Sequence, residues 1–255
     1  MRSKKTYVFL ILIIVIFFII MFLLFGLDGL RKEKYSTTIV VGENATWGFK
    51  NKKWTNISTY EDLNWEKFHV YTNNVEIGNY YLWHNDKWYV FNDKKEAVIL
   101  DGEMIAYKAN HNISIKEFNQ QSIDDYTYVY QELDNKGIST TSKYTADYKV
   151  LFDFDSDGVE EEFYVITNAF PTGFNPDKIF SLVFMVKDDK IYPIYEDVLK
   201  NKSFNGCKPY FNSFIDVDDD NKYEIILSCA EYSVSKTKVM LYTMENQEFK
   251  TLISN

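Results

Sequence analysis

Two short stretches carry carboxylates in the same order. In "FDFDSDGVEEEF", Asp153, Asp155 and Asp157 take the first, third and fifth positions, Gly158 the sixth and Glu161 the ninth. In "IDVDDDNKYEII", Asp216, Asp218 and Asp220 take the same three positions, with Asn221 sixth and Glu224 ninth. Carboxylates this crowded repel one another unless a cation lies among them. The spacing suits calcium, which takes six to eight oxygens at about 2.3–2.6 Å in a flexible shell. A tightly curled loop turns alternate side chains inward, so the first, third and fifth positions converge. The sixth residue must bend sharply with φ > 0, which Gly adopts freely and Asn tolerates better than most. The seventh residue, Val159 or Lys222, then offers a backbone carbonyl, and the ninth another carboxylate. The expectation is about two structural Ca2+ ions. One would be held by Asp153, Asp155, Asp157, Val159 and Glu161, the other by Asp216, Asp218, Asp220, Lys222 and Glu224.

The flanks say what must position these loops. A helix-loop-helix site would place a bidentate Glu at position twelve, where this chain has Tyr164 and Leu227. "YKVLF" and "EFYVIT", like "NSFI" and "EIILS", are short, β-branched or aromatic, and read as strands. Earlier in the chain, Tyr80–Trp83 and Trp88–Phe91 read as a hairpin across Asn85-Asp86. Two further strands, at Ala97–Leu100 and in "MIAYK", would continue it as an antiparallel meander. Ser122 with Asp125 opens a helix expected over 123–135, with Tyr126, Val129, Tyr130 and Leu133 on one face and Gly137 as its stop. A shorter helix is expected near Ile194 to Lys200. The fold class is mainly β: antiparallel meanders in a partial β-propeller-like or sandwich arrangement.

The two acidic stretches, "VLFDFDSDGVEEEFYVI" and "FIDVDDDNKYEIIL", resemble the calcium-loop half of FG-GAP or VCBS-type repeats of integrin-α-like propellers and bacterial surface proteins. In that family the loop joins two strands of a blade and the ion holds the hairpin in shape. The resemblance covers about 40 residues. The Phe-Gly and Gly-Ala-Pro elements are missing, and the chain is too short for seven blades. The resemblance implies calcium ligands at the eight acidic positions given above.

Residues 7–26, "YVFLILIIVIFFIIMFLLFG", contain no charge and are long enough to span a bilayer as a helix. No small-x-small cleavage site follows, so the segment reads as a signal anchor. The organisation expected is a cytoplasmic tail (1–6), the anchor (7–26), a stalk (27–45), an N-terminal β region (46–140) and a C-terminal β region with both acidic loops (141–255). The short basic tail, the acidic loops and Cys207 with Cys229, which could pair in an oxidising compartment, favour a bulk outside the cytoplasm at the cell membrane.

The net charge of -9 and pI near 5.0 argue against nucleic-acid binding. No G-x-S-x-G, H-E-x-x-H, phosphate loop or G-x-G-x-x-G occurs, and His69, His84 and His111 share no ligand spacing. All five Trp (47, 54, 65, 83 and 88) precede the acidic loops. Trp83 and Trp88 are expected to pack as a cross-strand pair, while exposed Trp would suit a glycan. The resulting expectation is a membrane-anchored, non-enzymatic surface module for adhesion, sensing or scaffolding, with a protein or glycan partner. A cell-envelope carbohydrate-active hydrolase with structural calcium is the alternative.

Overall fold

Thr37–Val41, within the stretch read as a stalk, forms a fully buried strand, β1. Its residues "TTIVV" are all β-branched, stiff at χ1 and well suited to a pleated surface. In the computed structural model, which describes residues 35–140, 144, 146–169, 178–199, 206–231 and 237–255, β1 lies near the centre of an eight-stranded antiparallel sheet. Its companions are β2 (Ala45–Lys50), β3 (Lys53–Asn56), β4 (Glu66–Thr72), β5 (Val75–His84), β6 (Trp88–Phe91), β7 (Ala97–Val98) and β8 (Met104–Ala109), in the order β3-β2-β1-β8-β4-β5-β6-β7. The hairpin across Asn85-Asp86 is present as β5–β6. The meander breaks after β7. Met104, Ile105, Ala106 and Tyr107 are all buried, so β8 sits between β1 and β4, not at the edge beside β7. Trp83 lies opposite Tyr89, and Trp88 opposite His84. The two Trp therefore occupy opposite faces, and the expected Trp–Trp pair does not form.

The next stretch supplies two three-residue strands, β9 (Ser114–Lys116) and β10 (Asn119–Gln121), then helix α1 (Thr127–Asn135). The helix starts later than Ser122 predicts. Asp125 is the acceptor that sets its start, taking hydrogen bonds from the Thr127 amide at 2.9 Å and hydroxyl at 2.7 Å. Its end is where Gly137 places it. Gly137 has φ +60°, its amide donates to Asp134, and the Ile138 amide donates to Leu133, which is a Schellman closure.

The remainder is two meanders of one plan. β11 (Ala146–Phe152), β12 (Glu161–Thr167), β13 (Ile179–Lys187) and β14 (Lys190–Leu199) form the first, with β10 added beside β11. β15 (Cys207–Asp216), β16 (Glu224–Glu231), β17 (Thr237–Glu245) and β18 (Glu248–Ser254) form the second, with β9 added beside β15. Residues 194–199, expected as a short helix, instead extend β14 along β13 from Ile179↔Leu199 to Lys187↔Lys190. Backbone pairing with β13 outweighs the local helical reading there.

These sheets stack in layers. The eight-stranded sheet meets the second meander through Ile39, Trp47 and Tyr107 against Ile215, Ile226 and Leu241. The opposite face of the second meander meets the first through Phe211, Phe214 and Leu227 against Phe152, Phe163 and Val183. The outer face of the first meander, with Tyr164, Phe180 and Leu182, is covered by Val129 and Leu133 of α1. Burial on both faces accounts for unbroken apolar runs such as "LVFMV" in β13, where alternation would mark one wet face. Cys207 and Cys229, 5% and 0% exposed, form a disulfide between β15 and β16 with Cα atoms 5.4 Å apart. Thr37–Asn255 is one compact unit. Tyr7–Gly26, the expected membrane anchor, lies outside the described residues. Among the described residues no helix is long and apolar enough to cross a membrane.

Candidate metal centres

Each meander carries its acidic loop between its first two strands. β11 runs to Phe152 and β12 starts at Glu161; β15 runs to Asp216 and β16 starts at Glu224. The two loops adopt the same internal bonding. In the first, Asp153 accepts from the amides of Asp157 and Gly158, both at 3.0 Å. In the second, Asp216 accepts from Asp220 and Asn221 at 3.2 and 3.0 Å. The amides of Val159 and Lys222, the expected carbonyl donors, each give a 2.8 Å bond to the fifth-position Asp. Glu161 Oε2 accepts from Phe154 at 2.8 Å, and Glu224 Oε2 from Val217 at 3.2 Å. Positive φ recurs at positions four and six: Ser156 and Gly158, then Asp219 and Asn221. Gly158, at φ +89°, is where the sixth-position requirement is met most directly.

The ligand sets converge only in part. Carboxylate oxygens of Asp153, Asp155 and Glu161 come within 4.8 Å of one another, as do those of Asp216, Asp218 and Asp220. Asp157 and Glu224 fall outside these two groups; Asp157 accepts from Lys187 at 3.1 Å, and Glu224 is 6% exposed. The loops also touch. Ser156 Oγ donates to the Asn221 carbonyl at 3.0 Å, and the Tyr223 amide to Phe154 at 3.3 Å. His111 Nε2 donates to the Val217 carbonyl at 2.7 Å, tying the second loop to the turn before β9.

The sequence reading missed two side chains on the third strands. Lys187 Nζ lies 2.5 Å from Asp155, 3.1 Å from Asp157 and 2.7 Å from Glu161. In the second meander Thr243 Oγ1 donates to Glu224 Oε1 at 3.1 Å. Both come from a partner strand whose register is set by pairing, and no spacing within the loop encodes them.

The electrostatics differ accordingly. The Val159 amide and then the Lys187 ammonium hold Asp157 below the usual carboxylate range. Burial works to lower the Lys187 ammonium, but its bonds to Asp155, Glu161 and Asp157 outweigh that and hold it well above the usual lysine range. In the second loop burial, with the charges of Asp220 and Asp216, raises Asp218. Burial also pushes Glu224 up to about 8, against the Val217 hydrogen bond and with the Asp218 charge.

A pH dependence follows. Between its ordinary value of 4.5 and about 8, Glu224 is protonated in the folded cation-free chain and ionised in the unfolded one. The folded state then binds more protons, so stability falls as pH rises through that window, by at most about 1.4 kcal/mol per pH unit. Urea midpoints measured from pH 5 to 8 without calcium should fall. With saturating calcium, which favours the ionised carboxyl, that slope should be lost.

The Trp residues do not form a single platform. Trp47 is fully buried, and Trp65 is 44% exposed beside Phe91. The chain matches no protein-family model, no curated protein and no solved structure.

Proposed function

We propose that the chain is a membrane-anchored, extracytoplasmic β-rich module, propeller-like in its repeated four-stranded meanders, whose acidic loops hold calcium to stiffen the fold. Its role is non-enzymatic: adhesion, sensing or scaffolding toward a protein or glycan partner at the cell surface. The observation that carries the calcium reading is the duplicated loop, with four matching amide-to-carboxylate bonds in each copy and three carboxylates converging within 4.8 Å. Tethering several backbone amides to the carboxylates fixes them facing inward, which reduces the ordering needed to coordinate a hard cation. The uncharged segment Tyr7–Gly26 and the buried disulfide support the location.

Calcium should raise the melting temperature of the purified chain, because a ligand at a hundredfold over its Kd adds about 2.7 kcal/mol to the folded state. Asp218→Ala should reduce that rise. Magnesium at equal concentration should give a smaller one, since it holds its water shell more tightly. An unchanged melt in calcium defeats the reading. Protease added to intact cells should digest the bulk, and protection of the bulk would reverse the topology.

A further inference from the structure

The two loops differ at one aligned position on the strand beside them. In the first meander Glu162 pairs with Val186, so the next residue along β13, Lys187, stands across from Glu161. In the second, Ile225 pairs with Tyr242, so the next residue along β17, Thr243, stands across from Glu224. The contacts agree. Lys187 Nζ meets Glu161 Oε1 at 2.7 Å, and Thr243 Oγ1 meets Glu224 Oε1 at 3.1 Å, while each Oε2 is taken by a loop amide. Equivalent sites thus receive a cation from the fold in one case and a neutral hydroxyl in the other.

Resting on the calcium reading above and narrowing it from two loops to one, we propose that only the second loop takes an exchangeable divalent cation, and that Lys187 is the resident cation of the first. Its ammonium bridges three carboxylates from a side chain only 22% exposed. An ammonium anchored on β13 competes at an effective concentration on the order of millimolar or more, and an entering ion must break all three contacts. Thr243 bears no charge and reaches no further than Glu224. Among the described residues, the cation that reaches the second loop is the exposed Lys222, 3.7 Å from Asp220, which leaves Asp216 and Asp218 facing one another. Lys187 and Thr243 therefore decide which loop responds to calcium.

The test is calorimetric titration of calcium chloride into the full chain in detergent micelles, comparing wild type, Lys187→Gln and Thr243→Lys. One equivalent is expected for wild type and two for Lys187→Gln. None is expected for Thr243→Lys, which carries the ammonium to the second loop. Two equivalents in wild type overturn the proposal but leave the calcium reading standing. One equivalent in both wild type and Lys187→Gln overturns the role of Lys187. No binding by any of the three overturns the calcium reading itself. If Lys187→Gln does not fold without calcium, Thr243→Lys decides alone. Loss of the wild-type equivalent with unchanged far-UV circular dichroism supports the proposal, and its retention overturns it.

Discussion

Phe214→Ala is expected to lower stability by about 3–5 kcal/mol, the range for deleting a fully buried aromatic ring. Phe214 is 0% exposed and stands two residues before Asp216. Its ring stacks on Phe152 at 4.0 Å, and Phe163, Phe211 and Phe118 lie at 5.0, 5.5 and 5.6 Å. Phe152 immediately precedes Asp153, so this stacked pair joins the bases of both loops. The substitution should therefore weaken calcium binding as well as shift the urea midpoint. Phe249→Ala, at a partly buried ring on β18, is the control and should cost much less. A calcium affinity unchanged in folded Phe214→Ala would show that the loops are shaped by their own hydrogen bonds alone.

Asp216→Ala carries the second large effect. Asp216 is 3% exposed, and its two oxygens accept from Asp220 and Asn221. Removing the carboxylate leaves two loop amides without acceptors, a loss of about 2–4 kcal/mol. Asp216→Asn keeps one acceptor and removes a repelling charge, so in calcium-free buffer it should cost far less than the alanine. In calcium both variants should lose the stabilisation that the ion gives wild type. Thermal melts of the three proteins with and without calcium thus separate the structural role of Asp216 from its role as a ligand. Equal losses for Asn and Ala in calcium-free buffer would contradict the structural part.

Residues whose chemistry is local were legible from sequence. The acidic loops follow from positions one, three, five, six and nine, because one tight turn places all of them. Their flanking strands follow from short β-branched runs, and Gly137 marks the helix end through its positive φ. What escaped depends on pairing over distance. β1 follows no turn signal of its own and is held by Ile39↔Tyr107 and its neighbours, far along the chain. β8 reads as the next strand of a meander, but its burial on both faces sends it to the sheet centre. Lys187 is the sharpest case. Aligning the two meanders by their turns at Asp188-Asp189 and Asn246-Gln247 would match Lys187 with Glu245, whereas strand register matches it with Thr243. The same holds for α1, whose start depends on which nearby oxygen the first free amide finds.

The short strand β9 also has a consequence in time. Ser114, Ile115 and Lys116 pair with Asp216, Ile215 and Phe214, so the first carboxylate of the second loop is pinned by a strand made about a hundred residues earlier. During synthesis from the N-terminus, Ser114–Lys116 must wait with an open edge while the whole first meander emerges and folds beside it. The second loop takes its final shape only when that edge is closed. On the proposed calcium reading, cation capture there is a late event that marks a finished chain, and a ribosome-released fragment ending before β15 has no such mark to show.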